Sequence, residues 1–225
     1  TRTVAFGTDT LLTESGATVA LESESGQMFD FQENEKGVYL SNQPLDLIGG
    51  NLYRLVVRTT DGQQYNSSYE AMPAKVPITE VKIVRKFNAL QEEGVEVTVS
   101  NSAGPEDSGA YRYAYEETYV VIPPFYNPFE WGEIDYDFSD GDGWEVSVAP
   151  RTADVSLCYA TSESTDIILA TTAGLTENKL IDFPVRFIGR DQYMISHRYS
   201  ILVRQFHQSA EAHSFYSTLD EFSSA

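Results

Sequence analysis

The sequence predicts an all-β chain: an immunoglobulin-like β-sandwich over residues 1–73, followed by a second β domain over residues 78–225 that ends in a short amphipathic helix. Three observations predict it. Runs of alternating apolar and polar residues are separated by Gly, Asn or Asp turns at about eight- to twelve-residue spacing. Tyr (14) and Phe (12) are abundant, and with the many Val and Thr residues they suit a pleated surface. Only one stretch, residues 210–222, repeats its apolar residues at the helical period.

In the first unit, residues 16–22 (GATVALE) alternate as a half-buried strand, Ser25-Gly26 marks a turn, and residues 27–31 return. Residues 33–37 make a polar turn into Val38-Tyr39-Leu40, and residues 51–58 (NLYRLVVR) form a strong strand. Asp61-Gly62 signals a hairpin, because a tight turn there needs positive φ. Pro73 and Pro77 then stiffen the chain and exclude a central strand, so the boundary between units falls at residues 72–78.

The second unit opens with strands at 78–84 and 94–100. Between Tyr111 and Val121 the odd positions place Tyr111, Tyr113, Tyr115, Tyr119 and Val121 on one face. Such a ladder packs a core or, less often, forms a stacking platform for sugars. Pro123 and Pro124 then break the period, and residues 123–144 read as a long acidic and aromatic loop, a length that in compact domains points to function or disorder. Its aromatics Phe125, Tyr126, Phe129 and Trp131 have the composition of an interface. Its carboxylates Asp135, Asp137, Asp140 and Asp142, with Gly141 and Gly143 beside them, are oxygen donors of the kind that wraps Ca²⁺, although Asp140 stands where the EF-hand pattern needs glycine.

Further strands are expected at 155–160, 165–172 and 183–188. Near the end, Ile201, Leu202 and Val203 are consecutive apolar residues and predict a strand buried in part on both faces. Ser209 sits where an N-cap belongs, and Glu211 suits the positive helix end. Ala212, Phe215, Tyr216, Leu219 and Phe222 make one apolar stripe. A core-covering helix is the expectation; exposure of Phe215 or Phe222 would instead indicate a partner-binding helix.

Net charge is −19, with 34 acidic and 15 basic residues, which argues against nucleic acid and against electrostatic attachment to an anionic membrane. No apolar run approaches the roughly 20 residues of a membrane-spanning helix. No nucleophile elbow, glycine-rich phosphate loop or i, i+4 histidine pair is present. His197, His207 and His213 read as surface or strand-edge residues, and the single cysteine, Cys158, as an inert core thiol. The chain has no initiator Met, opens on Thr1–Phe6 as though inside a strand and closes on Ser223-Ser224-Ala225 just past a helix, and is expected to be part of a longer polypeptide.

Several blocks in order resemble a known family. They are Cys158-Tyr159, the run Ile167–Thr176, the run Phe183–Ile188, and Arg198–Phe206 with Ser209, Glu211, Ala212 and Phe215. In the first unit they are Gly16–Val19, Gly37-Val38-Tyr39, Tyr53-Arg54-Leu55, Asp61-Gly62 and Met72-Pro73. Together they resemble a family of Bacteroidota cell-envelope lipoproteins known only as a domain of unknown function, with an N-terminal immunoglobulin-like module. The resemblance implies a signal peptide and lipidated cysteine ahead of the chain, an outer-membrane, surface-exposed location, and company with TonB-dependent receptors. It implies further chain past the helix, and it supplies no catalytic residues. The expectation is therefore a non-enzymatic accessory subunit of an outer-membrane assembly containing a TonB-dependent transporter or other barrel, attached to the membrane only through its lipid. The alternative is a glycan- or peptide-capturing module in which the tyrosine ladder and Trp131 stack on a ligand.

Overall fold

The computed structural model describes residues 13–104, 109–135, 145–153 and 155–223. The fold is all-β and sandwich-like, with one short helix near the C-terminal end. In the first unit, β1 (Thr18–Ser23), β2 (Met28–Glu35), β3 (Val38–Ser41), β4 (Leu52–Arg58), β5 (Gln64–Asn66) and β6 (Glu70–Ala71) form one antiparallel sheet. Its order is β3-β2-β1-β4-β5, and β6 also pairs with β4. Val19, Ala20 and Tyr53 are its buried apolar residues among those described. The Glu33 carboxylate fastens one end of this sheet by accepting the backbone N–H of Gly37 and of Gly16, each at 2.7 Å. Both glycines have positive φ (77° and 73°), a conformation that penalises a side chain.

The second unit holds two facing sheets. One contains β7 (Ile78–Phe87), β8 (Glu93–Ser102) and β14 (Lys179–Gly189) in the order β14-β8-β7. The other is built on the twelve-residue β9 (Ala110–Val121). Along one edge β9 pairs with β12 (Cys158–Glu163) and β13 (Ile168–Thr171), and along the other with β15 (Tyr199–Gln208). The core between them joins Val97 and Val99 of β8 to Tyr111 and Tyr113 of β9, with Ala170, Leu180 and Val185. The tyrosine ladder is thus core: Tyr111, Tyr113 and Tyr115 are all buried. Tyr113 stacks on Phe183 with ring centroids 5.4 Å apart.

Two polar networks sit inside this sandwich. In the first, fully buried Asn101 donates to the Tyr113 hydroxyl (3.2 Å) and to Gln205 Oε1 (2.8 Å), and accepts the Leu180 N–H (3.3 Å). The Tyr113 hydroxyl donates to the same Gln205 oxygen (2.9 Å), while Gln205 Nε2 donates to the Val76 carbonyl (2.7 Å). Each side-chain amide is used at both ends, the condition under which a buried polar group stops being a cost.

The second network centres on Glu117, the one charged residue on the inner face of β9. Glu117 is buried and takes a two-pronged pair from Arg186, Nε and Nη2 each at 3.1 Å. The Tyr199 hydroxyl donates to it at 2.8 Å. Burial, the largest influence, lowers the Arg186 pKa, but the hydrogen bond it donates to Glu117 and the attraction of Tyr115, Glu117 and Tyr199 together outweigh burial and hold it above its ordinary value. Burial, then the Glu117 carboxylate, push the Tyr199 hydroxyl up, so it stays protonated and donates.

A β-bulge brings Arg186 to this site. The β14–β8 register shifts between Pro184, opposite Thr98, and Arg186, opposite Val97. Without the shift Arg186 would lie opposite Glu96, on the outer face; the extra residue, Val185, turns it inward.

Two predictions follow from these contacts. Glu117→Ala leaves the Arg186 guanidinium buried without its partner and should cost about 3 kcal/mol in urea unfolding, whereas Glu117→Leu combined with Arg186→Met should recover most of that loss. For Glu33, the Gly37 N–H first, then the Ser15 hydroxyl and the Gly16 N–H, hold the carboxyl below its ordinary range. A lowered folded pKa stabilises above the unfolded carboxylate range, and that stabilisation is lost as pH falls through the folded value. Glu33→Gln should therefore flatten the acid side of a melting-temperature–pH profile.

Candidate partner-binding surface

Residues 123–144 were expected to form a loop, but from Phe129 the chain enters a hairpin. β10 (Phe129–Asp135) pairs with β11 (Glu145–Pro150) in an antiparallel ribbon, with a bulge between Trp131 and Ile134. The helical and strand periods are both broken by Pro123, Pro124 and Pro128, which hides the short strand that follows them. No other described strand pairs with this ribbon. Its root is well tied. The Tyr193 hydroxyl accepts the Ile122 N–H (2.6 Å) and donates to the Ile122 carbonyl (2.9 Å). Arg151 donates from its backbone to the Pro128 carbonyl (2.8 Å) and from Nε to the Asn127 carbonyl (3.0 Å), and pairs with Glu130 (3.3 Å).

On that fixed root the aromatics stand in solvent. Phe125 is 93% exposed and Trp131 77% exposed; Phe129 and Tyr126 are also exposed. Register places Phe129 opposite Pro150 and Trp131 opposite Val148, so these four share one face of the ribbon. Trp131 and Val148 are both open. A two-stranded ribbon cannot bury its own apolar face, so a face like this is completed only by something laid against it. Asp135 lies in β10, its side chain outside the described residues, and Asp137, Asp140 and Asp142 lie outside them altogether. Among the described residues no group of three His, Cys, Asp or Glu side chains could hold a metal ion.

The terminal helix α1 (Ala210–Ser223) starts at the expected cap: the Ser209 hydroxyl accepts the Ala212 N–H at 3.2 Å. Its packing differs from the expected core cover. Ala212, His213, Tyr216, Ser217 and Asp220 are the partly covered positions, while Phe215 is 64% and Phe222 78% exposed. The helix is rotated so that only the Tyr216 edge of its apolar stripe docks. There the Arg112 guanidinium lies between two rings, 4.4 Å from Phe206 and 4.9 Å from Tyr216.

Other expectations are also corrected. β15 is not buried on both faces: Leu202, on the outer side of the sheet, is 53% exposed. Cys158 is exposed rather than a core thiol, as is every residue of β12 except the partly covered Ala160. His207 stacks on Tyr111 (5.2 Å), its Nδ1 lying 2.8 Å from the Ala74 carbonyl. The Glu117–Arg186–Tyr199 set was missed. Its signal was a glutamate at an odd position of an otherwise aromatic strand face, where an acid must find a buried partner. That set is spent on its own hydrogen bonds and leaves no carboxylate open to a substrate.

A family model described as a domain of unknown function matches residues 1–225. The chain belongs to DUF4249. No curated protein and no solved structure matches it. The DUF4249 description assigns no residue a role, so the candidate surface of this member stands on the geometry above.

Because Phe215 and Phe222 are already in water, replacing either by serine should change urea stability by less than about 0.5 kcal/mol. Tyr216→Ala, which removes one side of the Arg112 sandwich, should cost about 1–2 kcal/mol in the same measurement.

Proposed function

We propose that the protein is a non-enzymatic accessory subunit of an outer-membrane assembly, lipid-anchored at the cell surface, whose partner is a TonB-dependent transporter or another barrel. The observation that carries a binding role is the exposed aromatic cluster on the β10–β11 ribbon and the segment leading into it. Phe125 and Trp131 are large, exposed and held on a root fastened by Arg151 and Tyr193. Exposed aromatic side chains are what interface hot spots are made of, and the fastened backbone beneath them has less conformational entropy to lose on binding. The family model describes a domain of unknown function, and the accessory role, the Bacteroidota origin, the lipid anchor and the transporter rest on the resemblance of the sequence blocks. The alternative, ligand capture by a tyrosine platform, is less favoured: Tyr111, Tyr113 and Tyr115 are buried between the sheets and present no face to a sugar.

The test is a gentle detergent pull-down of the tagged, full-length protein from its native envelope, with mass spectrometry of what accompanies it. A stoichiometric barrel protein is the expected result. Phe125→Ala with Trp131→Ala should release it while leaving the melting temperature unchanged. Recovery of the protein alone, under conditions that keep other envelope complexes intact, would overturn the assembly role. Retention of the partner after residues 125–131 are removed would show that the ribbon is not the contact.

A further inference from the structure

A second surface, separate from the aromatic ribbon, lies along the outer edge of β15. Val120 donates its N–H to the Arg198 carbonyl at 3.0 Å, so the hydrogen-bonded pairs of the β15–β9 ladder are the even-numbered residues of β15. The backbone groups of Ile201, Val203 and Gln205 point the other way. Among the described residues no strand lies beyond β15 and nothing accepts from or donates to those groups.

The facing sheet is short of cover at the same place. Val81 and Ile83 of β7 lie opposite Val99 and Val97, so they point to the same side as those two buried valines. Yet Val81 is 50% and Ile83 60% exposed. Gln205 of β15 reaches the Val76 carbonyl just before β7, which places β15 over the β7 side of the sandwich. A strand added to β15 would therefore lie over Val81 and Ile83. Among the described residues, the missing ladder and the missing cover coincide at one position.

Other long edges are guarded. β14 carries Pro184 and two register shifts, and β7 carries Lys82, Arg85 and Lys86 and one shift. β15 pairs through ten consecutive residues without a shift and contains no proline. Next to its far end, a cleft of about 720 Å³ opens between residues 72–77 and Gln205–His207, walled mostly by apolar groups. Charge then selects the occupant. Residues 71–79 and 192–210 contain no Asp or Glu, although the chain has 34 acids. Lys75 in the cleft and Arg198 at the opposite end of β15 have no carboxylate partner among the described residues.

We propose that the outer edge of β15 and the adjoining cleft form a strand-addition site for an extended segment of a partner polypeptide, apolar at alternate positions and acidic at its ends. The backbone of β15 supplies the ladder, Val81 and Ile83 take the alternate side chains, and Lys75 and Arg198 receive the carboxylates.

The probe is a nine-residue peptide, acetyl-Glu-Val-Ser-Val-Ser-Val-Ser-Val-Glu-amide, long enough to span roughly 30 Å of strand, titrated into the whole chain while amide exchange is followed by NMR. Expected is slowed exchange at Ile201, Val203 and Gln205, with affinity about ten-fold above that of the same peptide ending in lysines. Lys75→Glu with Arg198→Glu should reverse that preference. Ile83→Lys, at an exposed position that tolerates it, should weaken both peptides. No binding by the acid-ended peptide at millimolar concentration, protection at amides elsewhere, or equal affinity for the two peptides would overturn the proposal. So would protection of these amides without peptide that grows with protein concentration, because a second copy of the chain would then be the occupant.

Discussion

Glu117 has to be satisfied for the second unit to close. An ionised carboxylate between two sheets costs several kcal/mol unless it is paired and hydrogen-bonded, and β9 places one there among tyrosines. Its answer requires elements from across the chain. Arg186 arrives only because β14 bulges at Val185, and Tyr199 only because β15 pairs with β9 in the observed register. A one-residue slip in either strand would turn Arg186 or Tyr199 to the outside and leave Glu117 alone. The apolar core supplies most of the driving force for collapse, and many registers could satisfy it; this ion pair discriminates among them. The Asn101–Tyr113–Gln205 network acts in the same way at the other end of β9, and through Val76 it also fixes where the connection from the first unit lies.

Much of the fold was legible because alternation is a local property. The strands at 16–22, 51–58, 78–84 and 94–100, the Asp61-Gly62 turn and the Ser209 cap each follow from a few adjacent residues. What failed depended on neighbours far along the chain. Ile201-Leu202-Val203 looked buried on both faces, but whether Leu202 is covered depends on what lies over that sheet. Cys158 sits among apolar residues in sequence and in solvent in space for the same reason. The apolar stripe of α1 correctly indicated a helix and said nothing about its rotation. The Arg112 stack with Phe206 and Tyr216 sets that rotation, and those residues are scattered over β9, β15 and the helix.

The candidate surface shows the same division. Phe125, Tyr126, Phe129 and Trp131 stood out by composition, since four aromatics among prolines and carboxylates have no period to belong to. The common face of Phe129 and Trp131 did not, because it arises from the pairing of β10 with β11, in which Trp131 meets Val148 and Phe129 meets Pro150. The edge of β15 was less legible still. An unpaired strand edge is a statement about an absent neighbour, and no local pattern encodes it. The only trace in the sequence is negative: two stretches without acids in an otherwise acidic chain.

The two exposed surfaces are of different physical kinds. The ribbon offers side chains and would recognise shape and apolar area, a contact whose strength is set by how well a few aromatics are buried. The β15 edge offers backbone, which every polypeptide can match, so discrimination there has to come from the floor and from charge. The net charge of −19 repels an acidic segment at long range, but in physiological salt that field is screened beyond about 8 Å. Within that distance the edge presents Lys75, Arg198 and no acid of its own strand or of residues 71–79. An acidic segment is therefore held only when it lies in register along β15, where short-range attraction and the ladder act together, and is turned away over most of the remaining surface.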